Sequence, residues 1–285
     1  MKTMLKKPLL CLLFVAALFS TGFAKTGLPA STKLFLVGMG PGDMDLTTLR
    51  AVNVIKAADI VVCFEKSEKK YGEFIKGKKI IAVPHGFWFN YGKKTSELKG
   101  EELTKEGDIS AKRDKFIRQV REAVKVGKVV AVLDSGDPMV YGPWSWILEE
   151  FEDLKPNVVP GLSCFNAANA ALKKSPTSSR NTKSVILSAN DWPGKADTIE
   201  KLGKSGSSMA LFTMRAEFDY FINSLKASYP SDTPVAIVMN AGYKDKEKVV
   251  TGTLGDITDK MKEVKRPFEY MIYIGDFITY RHKSE

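Results

Sequence analysis

The chain has 285 residues, 44% hydrophobic and 27% charged, a composition that excludes intrinsic disorder for the bulk of it. Three cysteines and two histidines exclude a disulfide scaffold and most zinc architectures, because no pair stands at ligand spacing. The net charge of +10 sits in scattered lysine runs with acids nearby, so a nucleic-acid interface is not expected; a solvated surface explains most of it, and attraction of an acidic ligand is the secondary reading.

Residues 1–24 read as a secretory leader. Lys2, Lys6 and Lys7 form a positive head, Leu9 to Phe19 is an unbroken apolar run, and Gly22-Phe23-Ala24 places small residues where a signal peptidase cuts. The run is too short for a stable membrane span, which takes about 20 apolar residues. The expected location is periplasmic or extracellular, or cytoplasmic if the true start lies near Ser31. A chain starting near Lys25 keeps only Cys63 and Cys164. These read as small buried hydrophobes, with a disulfide left open.

The expected elements then alternate. Lys33 to Gly38 is a buried strand. An amphipathic helix follows, with Leu46, Leu49, Val52 and Ile55 on its apolar face. Ile60 to Phe64 and Ile80 to Val83 are strands. Residues 85–108 hold at most a short helix, and their aromatic cluster Phe87-Trp88-Phe89-Tyr91 is either core or a lid. Ser110 to Lys125 is a strong helix and Val129 to Leu133 a strand, which together imply a parallel sheet.

Beyond about residue 155 the pattern changes. Val158-Val159 is a short strand leading to an alanine-rich helix, Asn166 to Leu172. Strands are expected at Ser184 to Ser188, Met209 to Met214, Val235 to Asn240, Lys248 to Leu254 and Phe268 to Phe277, with a helix at Ala216 to Ser228. The closeness of the last two strands in sequence favours an antiparallel or mixed sheet. The expected architecture is α/β: two unequal domains, residues 33–150 with a mostly parallel sheet and 157–280 with a mixed one, and a ligand cleft between them.

Three loops are candidates for chemistry. Gly38 to Asp43, G-M-G-P-G-D, joins the first strand to the first helix. It departs from the dinucleotide fingerprint, because Asp43 stands at the sixth position and would repel phosphate. Asp134 to Gly142, D-S-G-D-P-M-V-Y-G, follows a strand at the end where α/β sheets bind ligands. Val159 to Cys164, V-P-G-L-S-C, opens the alanine-rich helix, and Ser163 reads first as its cap. His85 reads as a loop residue, and Trp144 and Trp146 as core. No Ser/His/Asp, Cys/His or paired-carboxylate arrangement is present in the sequence.

The order and spacing of these pieces resemble the tetrapyrrole (corrin/porphyrin) methylase family. The matching segments are L-F-L-V-G-M-G-P-G-D-M-D-L-T-T-L-R-A with A-A-D-I-V-V, then V-V-A-V-L-D-S-G-D-P-M-V-Y-G, then V-P-G-L-S-C-F-N-A-A-N-A-A. The resemblance implies two α/β domains with S-adenosylmethionine in the cleft between them, used as methyl donor toward a tetrapyrrole-like acceptor. It implies that Pro41 faces the donor, that Ser135, Gly136 and Asp137 line its site with Val140 behind, and that Ser163, Cys164, Met214 and Ala241 complete it. No catalytic residue is implied. The donor carries no phosphate, which accommodates the acid in the first loop. The oligomeric state stays open, a homodimer included. An exported, non-catalytic binding protein on the same scaffold, holding a tetrapyrrole or a nucleoside, is the alternative.

The departures from the family fall on the acceptor side. After A-D-I-V-V the family usually carries an aspartate and a basic residue; here the run is C-F-E-K-S-E-K-K. After the alanine-rich helix it usually carries an I-P-L-T-type segment; here it is S-P-T-S-S-R.

Overall fold

The computed structural model describes residues 31–189 and 195–283; the expected leader, residues 1–24, lies outside them. In chain order the elements are β1 (Leu34–Gly38), α1 (Leu49–Ala57), β2 (Ile60–Phe64), α2 (Glu65–Ile75), β3 (Lys79–Val83), α3 (Glu101–Lys125), β4 (Val130–Asp134), α4 (Trp146–Glu150) and β5 (Asn157–Val159). These are followed by α5 (Cys164–Leu172), β6 (Val185–Ser188), α6 (Ile199–Gly203), β7 (Ser208–Met214), α7 (Phe218–Lys226), β8 (Pro234–Met239), β9 (Lys248–Thr253), α8 (Ile257–Met261) and β10 (Glu269–Ile274).

The first five strands form a wholly parallel sheet in the order β3-β2-β4-β1-β5. β1, β4 and most of β2 are buried on both faces, which explains their continuous apolar runs. One face packs on α3 and the segment around Trp144 and Ile147, with Phe116, Val120 and Phe151 at its centre. The chain leaves β1 toward β2 on one side and leaves β4 toward β5 on the other. The switch point therefore falls at the carboxyl ends of β4, β1 and β5.

The second sheet has the order β6-β7-β10-β8-β9 and is mixed. β6 and β7 run parallel, and the remaining pairs are antiparallel. The expected strands are all present, but β9 and β10 do not pair with each other. Each lies antiparallel to β8, on opposite sides of it. α8 returns the chain between them, and the expected mixed sheet with antiparallel pairing is what forms.

The short helices α4, α6 and α8 were not expected, and three longer ones differ from expectation. α1 starts at Leu49 because Thr48 caps it, its hydroxyl accepting from the Ala51 N–H. Leu46 belongs to a separate 3-10 turn, Leu49 is 82% exposed, and the buried face is Ala51, Val54 and Ile55. The cap resets the helix phase, so the expected apolar face is corrected by one step. α3 starts at Glu101, well before Ser110, where the polar run E-E-L-T-K-E-G-D carries no apolar periodicity to announce a helix. α2 was missed altogether: it buries only Tyr71 and Ile75, too few apolar positions for a periodic signal.

Candidate functional site

The three glycine-rich loops meet at the switch point. The main chains of Gly40 and Gly136 exchange two hydrogen bonds of 3.1 Å, joining the first loop to the second. Gly161 of the third loop lies against both: a Cβ there would meet the Gly136 carbonyl at 2.3 Å and the Gly38 carbonyl carbon at 2.9 Å. A Cβ on Gly38 would lie 2.5 Å from the Gly161 nitrogen. Gly38, Gly136 and Gly161 are therefore glycines for want of space or because φ is +79° at Gly136. The result is a backbone-walled floor that a ligand can approach closely.

The first loop also reaches the segment after β8. The Asp43 N–H donates to the Gly242 carbonyl at 2.9 Å, and the Asp43 carboxylate accepts from the Lys244 N–H at 2.9 Å. Lys244 Nζ pairs with Asp45 at 2.6 Å. The second loop reaches β7, where the Tyr141 ring stacks on Phe212 with centroids 4.7 Å apart. The carboxyl ends of β7 and β8 lie on one edge of the second sheet, since Met214 pairs with Glu269 and Met239 with Tyr270.

The structure places the expected site residues as follows. Pro41 is buried in the first loop, its carbonyl beside Gly242. Ser135 is exposed and hydrogen-bonds the hydroxyl of the buried Tyr71. Gly136 is buried in the main-chain bridge. Asp137 is half-buried, and its Oδ1 accepts from the Met139 N–H at 2.8 Å, an Asx turn that shapes the loop. Val140 is 44% exposed beside Met139 and Tyr141. Ser163 caps α5, accepting from the Phe165 N–H while Asn166 closes a capping box, as its first reading expected.

Cys164 lies with its Sγ 3.7 Å from Met271 Sδ, in the apolar cluster that also holds Phe212 and Ala241. Burial pushes its thiol up to about 11, so it is no nucleophile at neutral pH. Cys63 is likewise a free thiol, raised to about 11 by burial. Met214 ends β7 on the face of Phe212, and its carbonyl accepts from the Tyr270 hydroxyl. The residues of the three loops thus come together directly, and Met214 and Ala241 join them from the second sheet through Tyr141–Phe212 and Gly42–Gly242.

Asp134 was not singled out from the sequence. It ends β4, is 2% exposed, and accepts from the main-chain N–H groups of Ser135 and Trp144. Its Oδ2 is buried without a partner among the described residues, against Gly142, where a Cβ would lie 2.3 Å from it. Burial, with Asp137 and Glu269 nearby, pushes this carboxyl up to about 8. The one sequence signal was an acid directly after four buried apolar residues.

At the other half of the same edge, past β2 and β3, stands an aromatic group. Phe64 stacks on Trp144 at 5.0 Å, and Trp88 lies 5.3 Å from Phe64. The expected core positions Trp144 and Trp146 are buried; of the cluster left open between core and lid, Phe87 is buried while Phe89 is 50% exposed. Arg113 of α3 fixes this segment: it is 7% exposed, pairs with Glu106, and donates to the carbonyls of Phe87 and Phe89 at 3.3 and 3.1 Å. The segment is neither plain core nor free lid, since Phe87 anchors it and Phe89 faces solvent.

Comparison with known proteins agrees with this architecture. The chain is 29% identical over 257 residues to the cobalt-precorrin-4 C(11)-methyltransferase of Methanocaldococcus jannaschii, covering 87% of this chain and 88% of that protein. It is equally similar, 29% over 257 residues, to the uroporphyrinogen-III C-methyltransferase of the same organism, covering 87% and 97%. The solved structure of a cobalamin biosynthetic enzyme, cobalt precorrin-4 methyltransferase, shares the fold with a TM-score of 0.68 at 24% identity, over 88% of this chain and 98% of that one. A uroporphyrin-III C-methyl transferase from Thermus thermophilus, solved in complex with S-adenyl homocysteine, matches with a TM-score of 0.61 at 19% identity, over 87% and 99%. Residues 33–258 match the family described as Tetrapyrrole (Corrin/Porphyrin) Methylases. The chain belongs to the tetrapyrrole methylase family.

Proposed function

We propose that this protein is an S-adenosylmethionine-dependent methyltransferase acting on a tetrapyrrole-like acceptor. The observation that carries the reading is the meeting of Gly38, Gly136 and Gly161 at the carboxyl edge of the parallel sheet, in a chain whose relatives are methyltransferases. Those relatives lend no support to the non-catalytic alternative.

The residues present fit the donor. The loops offer a floor without side chains, the Ser135 hydroxyl, a half-buried Asp137 and apolar walls from Val140, Met214 and Ala241. An ammonium, ribose hydroxyls and an adenine amine are groups that acceptors and main chain can satisfy. The donor supplies a methyl group already activated by its sulfonium. The chain's part is to hold donor and acceptor in line and to exclude water. No side-chain nucleophile is required for that, and the raised Cys164 thiol agrees.

Calorimetry with S-adenosylmethionine and its demethylated product tests the donor half, and turnover with a panel of porphyrinoids tests the acceptor half. Absence of binding to both donor forms overturns the reading.

The three-part layout of residues 1–24 supports a location outside the cytoplasm. N-terminal sequencing of the natively expressed protein is expected to begin near Lys25. Recovery from the cytoplasm with those residues intact, or with a start near Ser31, overturns that part alone.

A further inference from the structure

We propose that Glu269 is a donor-specificity residue: its carboxylate faces the positively charged sulfur of S-adenosylmethionine and so favours the donor over its demethylated product. The inference rests on the methyltransferase reading and deepens it.

Glu269 opens β10, directly opposite Met214 at the end of β7. Alternate side chains of a strand share a face. Glu269 therefore shares one with Met271 and Tyr273, as Met214 does with Phe212. That face carries the apolar cluster of Phe212, Met271, Cys164 and Ala241, and the Tyr141 ring of the second loop stacks on Phe212. Glu269 stands exposed at its rim. Its charge is felt by both neighbouring loops. After burial it is the next cause that holds Tyr141 and Cys164 neutral, and it acts on Asp134 as well.

The other carboxyls of this region have structural tasks. Asp137 Oδ1 accepts from the Met139 N–H at 2.8 Å, and Glu217 Oε2 from the Met214 N–H at 2.9 Å. Asp134 titrates at about 8 and carries a proton at neutral pH. Among the described residues no hydrogen bond or ion pair engages the Glu269 carboxylate. A chain of net charge +10 thus turns a free negative charge toward an apolar face. That combination suits one part of the donor. An ammonium has three N–H groups and needs as many acceptors. A sulfonium donates no such bonds and carries its charge among carbon substituents. It fits thioether and aromatic neighbours with one carboxylate in reach, as Met214, Met271, Tyr141 and Glu269 provide. When the methyl leaves, the bonding pair stays on sulfur and the product is a neutral thioether. The same carboxylate then attracts the donor and not the product.

The test is calorimetry of the full chain with S-adenosylmethionine and S-adenosylhomocysteine at neutral pH, in low and high salt. Glu269→Gln is expected to bind S-adenosylmethionine about tenfold more weakly. Its affinity for S-adenosylhomocysteine should stay within about twofold of wild type. Added salt should weaken the wild-type donor complex more than the product complex, and Glu269→Gln should lose that difference. Glu263→Gln removes an exposed acid after α8 and should match wild type with both ligands. Equal weakening of both ligands in Glu269→Gln, or wild-type affinity for both, overturns the assignment. The two readings fail separately. Wild type that binds neither ligand overturns the methyltransferase reading, whereas wild type that binds both while Glu269→Gln leaves their ratio unmoved overturns the role of Glu269 alone.

Discussion

Gly161 lies against Gly136 so closely that a single added carbon on it would sit 2.3 Å from the Gly136 carbonyl oxygen. The contact brings two loops from opposite sides of β1 into one floor, since β4 and β5 flank that strand. A ligand resting there is met by main chain from both.

The two glycines should fail differently. Gly136 has φ +79°, but its nearest obstacle is 3.9 Å away, so Gly136→Ala adds only left-handed backbone strain, roughly 1–2 kcal/mol. Gly161→Ala must displace main chain and should cost roughly 3 kcal/mol, with donor binding lost. Urea unfolding of the two variants checks the order; equal stabilities would contradict the close approach.

Asp137 shapes its loop through the Met139 N–H. Asp137→Ala should weaken S-adenosylhomocysteine binding at least about tenfold, or about 1.4 kcal/mol. Asp137→Asn keeps an oxygen at that position and should recover most of it. Calorimetry decides, and wild-type affinity in the alanine variant removes Asp137 from the site.

Asp134 makes stability depend on pH with a defined sign. Its folded carboxyl titrates at about 8, while an unfolded aspartate titrates near ~3.9. Between those values the native chain holds a proton that the unfolded chain has released, so this group lowers stability as pH rises from about 4 to about 8. Asp134→Asn lacks the titration. Its Tm should exceed that of wild type at pH 8 and fall to or below it at pH 4.5, a relative swing on the order of a few kcal/mol. A pH-independent difference between the two melting curves rules this out.

Arg113 holds the aromatic segment to α3. Arg113→Ala leaves Glu106 buried without its partner and frees the carbonyls of Phe87 and Phe89, at a cost of about 3 kcal/mol. Arg113→Lys cannot reproduce the forked donors and should recover only part. Hydrogen exchange of the Phe89 and Tyr91 amides, which bond to Gly86 and Trp88, should accelerate well beyond that of β4.

Burial holds the Cys164 thiol at about 11, and the reading gives it no chemical part. Cys164→Ala should keep methyl-transfer turnover within about twofold of wild type, apart from any loss of packing on Met271. A loss of turnover with donor binding intact, measured in the same assay, reverses that view.

The sequence by itself determined the strands and the loops between them. Buried parallel strands are short apolar runs ended by glycine, and that signal is local, as in Leu34 to Gly38. It also placed the three loops at strand ends, hence on one edge of a parallel sheet, and the capping role of Ser163. Only the tertiary structure decided the rest. The Thr48 cap set the phase of α1, α2 showed itself through two buried residues, and β10 chose β7 and β8 over β9. The raised carboxyl of Asp134 and the stacking of Phe64 on Trp144 depend on neighbours remote in sequence. Periodicity and turn chemistry act over a few residues, whereas burial and ring contacts are set by whatever the fold packs alongside.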